Sequence, residues 1–184
     1  MVVKVILISG AARSGKDYCF SKIREGLEKK GKKVCQAAYA DELKEYVEIL
    51  FGIDREKLDE WKNSGDAVTI NGVTMRQILQ RLGTDIFRKV HQNYWVEVMK
   101  KKVLKAQEDG YDYFFITDCR FENEAQIDVP EKLHVKVIGK VQNSLVSHPS
   151  ENNLSNWNFD YYINNVEYEN TDREILKFME FIGE

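Results

Sequence analysis

Two prolines in 184 residues leave this chain few hard breaks, and no internal repeat or low-complexity stretch divides it. Cysteine is also scarce. Cys19, Cys35 and Cys119 lie far apart and form no CxxC pair, which excludes a disulfide framework and points to buried, reduced thiols. His91, His134 and His148 are equally scattered, so no His/Cys spacing suggests zinc. There is no excess of one charge sign: 27 basic residues face 30 acidic ones, for a net charge of -3. A generic binder of nucleic acid polymers or of anionic membranes would want a basic surplus. A local basic pocket for a phosphorylated metabolite stays compatible with this balance. Long apolar runs are missing too. Residues 2–8, apolar apart from Lys4, are too short for a membrane span and lack a signal-peptide layout, so a cytoplasmic protein is expected.

What is present is a globular mixture, 43% hydrophobic and 31% charged, long enough for one compact domain over residues 1–184. Residues 2–9 read as a buried strand, because Val2, Val3, Val5, Ile6, Leu7 and Ile8 are nearly continuous. A helix over 16–30 follows, with Cys19, Phe20, Ile23 and Leu27 at helical spacing and Gly31 as its stop. Residues 34–40 predict a second strand. Leu43, Val47 and Leu50 mark a helix, and Met75, Ile78, Leu79 and Leu82 another, with a small hairpin turning at Asn71-Gly72 between them. Trp95, Val98, Met99, Val103 and Ala106 stripe a longer helix ending near Gly110. Strands at 113–117, 135–138 and 161–164 and a final helix carrying Ile175, Phe178, Met179 and Ile182 complete the pattern. Strands alternating with helices predict an α/β fold with a five-stranded parallel sheet flanked by helices. Residues 141–158, polar and weakly periodic, read as the segment most free to move.

The string Gly10-Ala11-Ala12-Arg13-Ser14-Gly15-Lys16-Asp17 fits GxxxxGK, a P-loop, and sits between the apolar strand and the amphipathic helix. Its glycines let the backbone curl so that successive N–H groups cradle phosphate oxygens, with the positive end of the helix dipole behind them. Lys16 can reach the β- and γ-phosphates of ATP. Asp17 stands where Ser or Thr is usual. It either supports Mg²⁺ with a full negative charge or is an acid favoured by the helix start. The strand ending Phe115-Ile116-Thr117-Asp118 delivers a carboxylate at its C-terminal end, where ligands bind in open parallel sheets. Asp118 can hold a metal-bound water or accept a proton; alternatively, it caps a helix starting near Phe121. Arg120 can clamp a phosphoryl group bidentately or pair with Glu122 or Glu124. Arg76, Gln80 and Arg81 lie off the apolar stripe of their helix, with Arg88 beyond Gly83-Thr84. They suit a monophosphate acceptor or form a solvated face. Trp95 belongs to an apolar stripe, and its ring can also stack on a base.

Taken together, several strings resemble the bacteriophage-type deoxynucleoside monophosphate kinases. They are the P-loop with Asp17, Ala40-Asp41-Glu42-Leu43-Lys44, Arg76 with Leu79-Gln80, Leu82-Gly83-Thr84-Asp85, Arg88, and Asn93-Tyr94-Trp95-Val96. Thr117-Asp118-Cys119-Arg120-Phe121-Glu122-Asn123-Glu124 is the most specific; His148, Ser150-Glu151 and residues 160–165 follow. The matches run in order along almost the whole chain. The resemblance implies transfer from ATP to a deoxynucleoside monophosphate, on a P-loop NTPase fold with an acceptor-binding helical region at about 41–109 and a lid at about 141–158. It implies that Arg13, Lys16 and Arg120 handle the transferring phosphoryl group and that Asp17 supports Mg²⁺. Arg76 and Arg88 would hold the acceptor phosphate, and Asp41, Lys44, Gln80 and Trp95 would line the acceptor site. The lid segment departs from the pattern in having no arginine. Animal-type phosphomevalonate kinases share the P-loop string, and a nucleotide-dependent binding switch is a further alternative, weakened by the lack of Asn-Lys-x-Asp. The sequence leaves the oligomeric state open, a homodimer included.

Overall fold

The computed structural model describes residues 2–64, 69–139, 154 and 156–184, with the backbone only at 69, 70 and 168. The chain divides into two compact units, Met1–Ala38 with Val98–Glu184, and Tyr39–Glu97.

The first unit is built on a five-stranded sheet of β1 (Lys4–Ser9), β2 (Val34–Ala37), β5 (Tyr113–Ile116), β6 (Lys132–Gly139) and β7 (Tyr161–Asn165). The order is β2-β5-β1-β6-β7, and all four pairings are parallel. Val5, Ile6, Leu7 and Ile8 are all fully buried, which is why β1 reads as a continuous apolar run rather than an alternating one. Its even positions, Ile6 and Ile8, join Val135, Val137, Phe115 and Ile163 against one face of α1 (Lys16–Lys29) and α8 (Tyr168–Phe181). Those helices contribute Cys19, Phe20, Ile23, Leu27, Ile175, Phe178, Met179 and Ile182, the stripes their spacing predicts. Each such side chain stabilises the fold by about 1.5–3 kcal/mol relative to exposure. Gly31 ends α1 at φ +77, where a side chain would be strained.

The strand expected over 34–40 stops at Ala37. Tyr39 already opens α2 (Tyr39–Phe51), whose first turn gains Asp41 and Glu42 at the positive dipole end. On α2 the buried line runs Tyr39, Leu43, Val47, a strict i+4 progression, so Leu50 falls off it and is 68% exposed. The second unit also contains a helix that the apolar pattern misses, α3 (Arg55–Asn63). Only its Leu58 is buried, and its start is fixed by Asp54, whose carboxylate accepts from the Lys57 amide at 2.8 Å. The hairpin pairs β3 (Thr69–Ile70) with β4 (Val73–Thr74) across Asn71 and Gly72, at φ +52 and +77, the double positive φ of a tight hairpin turn. Thr74 then caps α4 (Met75–Gln80) in a reciprocal box with Gln77. Gly83-Thr84 does not break the helical path. Residues Arg81–Phe87 continue as a π-helical segment into α5 (Arg88–Val90). The unit ends in the first turn of α6 (Tyr94–Glu108), within which the division between the units falls.

Candidate functional site: a phosphate-binding loop

The loop from Gly10 to Lys16 is drawn tight by its glycines. A Cβ on Gly10 would stand 2.6 Å from the Val137 carbonyl oxygen and 2.7 Å from Ser14 Oγ, so only glycine passes between β6 and the far side of the loop. Arg13 and Gly15 both take positive φ, +61 and +87, around Ser14. That alternation of backbone hand turns successive N–H groups to one side and makes an anion-binding concavity. The Ser14 amide closes the turn on the Ala11 carbonyl at 3.1 Å, and α1 starts immediately afterwards with Cys19 N–H donating to Gly15 at 2.9 Å. Lys16 folds back over the loop, its Nζ donating to the Gly10 and Ala11 carbonyls at 2.8 Å each. Ser14 Oγ is buried and without a hydrogen-bond partner among the described residues. An unmatched buried hydroxyl beneath a curled row of amides is the arrangement a phosphate oxygen would complete. Asp17 is exposed in the first turn of α1, one residue beyond Lys16, and Arg13, Ala11 and Ala12 are exposed on the loop itself.

Asp118 is carried to the same end of the sheet. Thr117 N–H donates to Ala37 and Cys119 N–H to Ile8, each at 3.2 Å, so the chain leaving β5 is stitched to both neighbouring strands. Ser9, the last residue before the loop, donates from Oγ to the Cys119 carbonyl at 2.6 Å. Since that uses its only proton, Ser9 Oγ accepts from His134 Nε2 at 2.7 Å, and the buried imidazole therefore carries its proton on Nε2. Burial holds His134 down at about 4, against the pull of Asp160. Asp118 is half-buried and Arg120 exposed. The helix expected near Phe121 is α7 (Glu122–Ala125), and the Glu124 carboxylate accepts from the Arg120 and Phe121 amides at its start, at 2.8 and 3.1 Å. Lys132 closes the same short helix by donating to the Ala125 and Ile127 carbonyls at 3.0 and 2.9 Å. Burial, with Glu124 next in effect, pushes the Cys119 thiol well above its ordinary range, so it stays protonated and inert.

Asp41, Lys44, Arg76, Gln80, Arg88 and Trp95 all belong to the second unit. Arg55 of α3 pairs with Glu48 and reaches Asp41 at 3.7 Å, and Lys44 pairs with Asp59 at 2.9 Å, so α2 and α3 are joined by charge along one side. Arg76 is exposed, and Gln80 and Arg88 are half-buried. Trp95 is 4% exposed, and its indole N–H donates to Gly83 O at 3.0 Å, inside the π-helical segment. Phe87 meets Tyr46, Tyr94 and Trp95 at centroid distances of 5.8, 5.1 and 5.0 Å, and the Tyr46 and Tyr94 hydroxyls lie 3.0 Å apart. That hydrogen bond, with some burial, raises Tyr46 to about 12. The expected lid over 141–158 lies for the most part outside the described residues.

Several residues that shape the loop lie outside its GxxxxGK motif. Gly139 ends β6 so close to Ser14 that a Cβ there would stand 2.5 Å from its Cα and carbonyl oxygen. Asn165, at the end of β7, donates from Nδ2 to the Ser14 carbonyl at 2.8 Å, and Thr171 donates to Asn165 Oδ1 at 2.6 Å. Asn165 lies 151 positions from Ser14, and Thr171 reaches the loop only through Asn165, so no spacing near the loop points to either.

A parallel sheet with order β2-β5-β1-β6-β7, a curled GxxxxGK loop after β1, and an acidic strand end beside it define a P-loop phosphate-binding protein. The sequence model of deoxynucleotide monophosphate kinases matches residues 57–171. The chain belongs to that family. It is 30% identical over 122 residues to the deoxynucleotide monophosphate kinase of Enterobacteria phage T4, covering 58% of this chain. The match spans half the length of that phage relative. In fold it is similar to the crystal structure of TT1252 from Thermus thermophilus, with TM-score 0.56 and 15% identity over the whole of both chains. It is similar also to an unliganded sugar kinase from Janibacter, with TM-score 0.50 and 10% identity over 98% of this chain and 94% of that one. No helix among the described residues is long and apolar enough to cross a membrane.

Proposed function

We propose that the chain is a kinase that transfers the γ-phosphoryl group of ATP to a deoxynucleoside monophosphate, giving the diphosphate. The observation that carries this reading is the curled Gly10–Lys16 loop held against the Asp118–Arg120 segment by Ser9. A positive cradle and an acidic strand end sit together in one unit, as phosphoryl transfer requires. Lys16 exchanges its two loop carbonyls for β- and γ-phosphate oxygens, keeping its charge where negative charge migrates. Arg13 and Arg120 are exposed, and their guanidinium groups take up the transferring group bidentately. The carboxylates of Asp17 and Asp118 are hard oxygen donors of the number and type Mg²⁺ takes alongside substrate phosphates. When bound there, Mg²⁺ would offset the negative charge of the phosphates.

Arg76 and Arg88 hold the acceptor phosphate, with Asp41, Lys44 and Gln80 forming the polar lining of the acceptor site. Trp95 acts from within, bracing the π-helical segment through Gly83 and the aromatic group around Phe87. The test is ADP release from ATP and Mg²⁺ with each of the four deoxynucleoside monophosphates, with phosphomevalonate, and with no acceptor. Turnover with at least one deoxynucleoside monophosphate and none with phosphomevalonate is the expected result. ADP release independent of acceptor would replace the kinase by a nucleotide switch.

A further inference from the structure

We infer that Asn165 and Thr171 are positioning residues that set the sense of the Ser14–Gly15 peptide, and through it the phosphate affinity of the loop. The platform is made by two strand ends. Gly139 and Asn165 are register partners across β6 and β7, and both lie under Ser14. Gly139 brings backbone against backbone, and Asn165 takes hold of the Ser14 carbonyl at 2.8 Å. The Ser14 carbonyl can only accept and so favours Nδ2, and a donor on the other side of the Asn165 amide reinforces that orientation. Thr171 Oγ1 has one proton and two acceptors within reach, Asn165 Oδ1 at 2.6 Å and Glu167 O at 3.3 Å. The shorter bond wins, Oδ1 is engaged, and Nδ2 is left facing Ser14. All this is dry: Asn165 is 4% exposed and Thr171 fully buried.

The consequence follows from peptide geometry. In a planar trans peptide the C=O and the N–H point in opposite directions. Pinning the Ser14 carbonyl down onto Asn165 therefore turns the Gly15 N–H up, toward the side where the loop amides converge. Without the pin, Gly15 at φ +87 has the freedom to let that peptide rotate and present a carbonyl oxygen to the phosphates. The amide of Asn165 and a side chain at position 15 are mutually exclusive, since a Cβ on Gly15 would stand 2.0 Å from Nδ2. The glycine of the loop thus serves the anchor as well as the turn.

This inference rests on the reading of the loop as a nucleotide-phosphate site, and its test reads ATP binding directly. ATP affinity in the presence of Mg²⁺ is measured by calorimetry for the wild type, Thr171→Val, Thr171→Ser and Asn165→Ser, and the acceptor KM is measured alongside. Thr171→Val removes the orienting proton at constant shape and weakens ATP binding by about tenfold, the weight of one hydrogen bond near a charged ligand. Thr171→Ser restores the hydroxyl and returns the affinity to within about twofold, and the acceptor KM stays put in both. Asn165→Ser, too short to span to Ser14, carries the same loss should the valine variant be unstable. Folded variants that bind ATP as the wild type does overturn the inference. Normal ATP binding by the wild type with no phosphorylated acceptor would instead remove the proposed reaction and leave the anchor standing. A wild type without ATP affinity would remove both.

Discussion

At the scale of single residues, charge near the loop and burial beneath it separate into distinct tests. Lys16 is half-buried, and its ammonium group donates to the Gly10 and Ala11 carbonyls of the loop, so Lys16→Ala changes stability by about 0.5 kcal/mol or less. Turnover at saturating ATP should fall by about 10²–10³, the usual cost of removing a donor aimed at developing charge. Wild-type turnover in that variant would sink the loop assignment. Asp17→Asn keeps the shape and removes the charge; if the carboxylate supports Mg²⁺, the Mg²⁺ concentration for half-maximal rate rises and activity recovers in part at high Mg²⁺. An unshifted midpoint leaves Asp17 as an acid favoured by the helix start and gives metal support to Asp118. His134 concerns stability instead. Its pKa is lowered from 6.5 to about 4 by burial beside Trp157 and Phe159, with Ser9, Lys132 and Asp160 as its polar neighbours. Between those values the unfolded chain binds the proton and the folded one does not, so stability falls as pH drops through that window. The slope approaches about 1.4 kcal/mol per pH unit, and His134→Gln should flatten it in urea titrations run at pH 4.5, 5.5 and 6.5.

At the scale of elements, what was legible is what repeats along the chain. β1, α1 and α8 announce themselves because burial on one or both faces imposes a period on the sequence, and their buried residues are those the period names. α3 has a single buried side chain, and its charged composition left only Asp54 as a signal. The π-helical segment across Gly83 is set by tertiary contact: a Cβ at Gly83 would stand 2.8 Å from Leu43 Cδ2, and its carbonyl receives the Trp95 indole. No local pattern encodes either. The same distinction gives a paired prediction for two glycines. Gly139→Ala drives a methyl into the Ser14 backbone and costs about 1–3 kcal/mol together with ATP affinity. Gly31 has nothing within 4 Å of its Cβ direction and only its φ of +77 to strain, so Gly31→Ala costs about 1 kcal/mol and leaves ATP binding untouched. Urea midpoints and ATP titrations of both variants check this.

At the scale of the whole molecule, the phosphate side of the site was legible from a contiguous motif, whereas its supports were not. Gly10 to Asp17 declare themselves in eight consecutive positions; Gly139, Asn165 and Thr171 reach the same loop from the far end of the chain and have meaning only once the sheet exists. The acceptor arginines rest on the resemblance and on their place in the second unit. Arg76→Ala and Arg88→Ala are expected to raise the acceptor KM by about 10-fold or more while ATP affinity moves little, as loss of a charge-assisted phosphate contact would do. Equal losses for both ligands would count against that division of labour. The strand order carries one more consequence, for biosynthesis. β1 is the middle strand in the sheet and is made well before its neighbours β5 and β6, which begin at Tyr113 and Lys132. A chain emerging at about 5–20 residues per second holds that apolar strand without a partner for several seconds. Until then β1 is an adhesive segment with no sheet to join, and the Asn165 anchor arrives later still. Chaperone demand should therefore be highest while β1 waits for β5 and β6, and ATP binding should be acquired only after Asn165 and Thr171 have emerged.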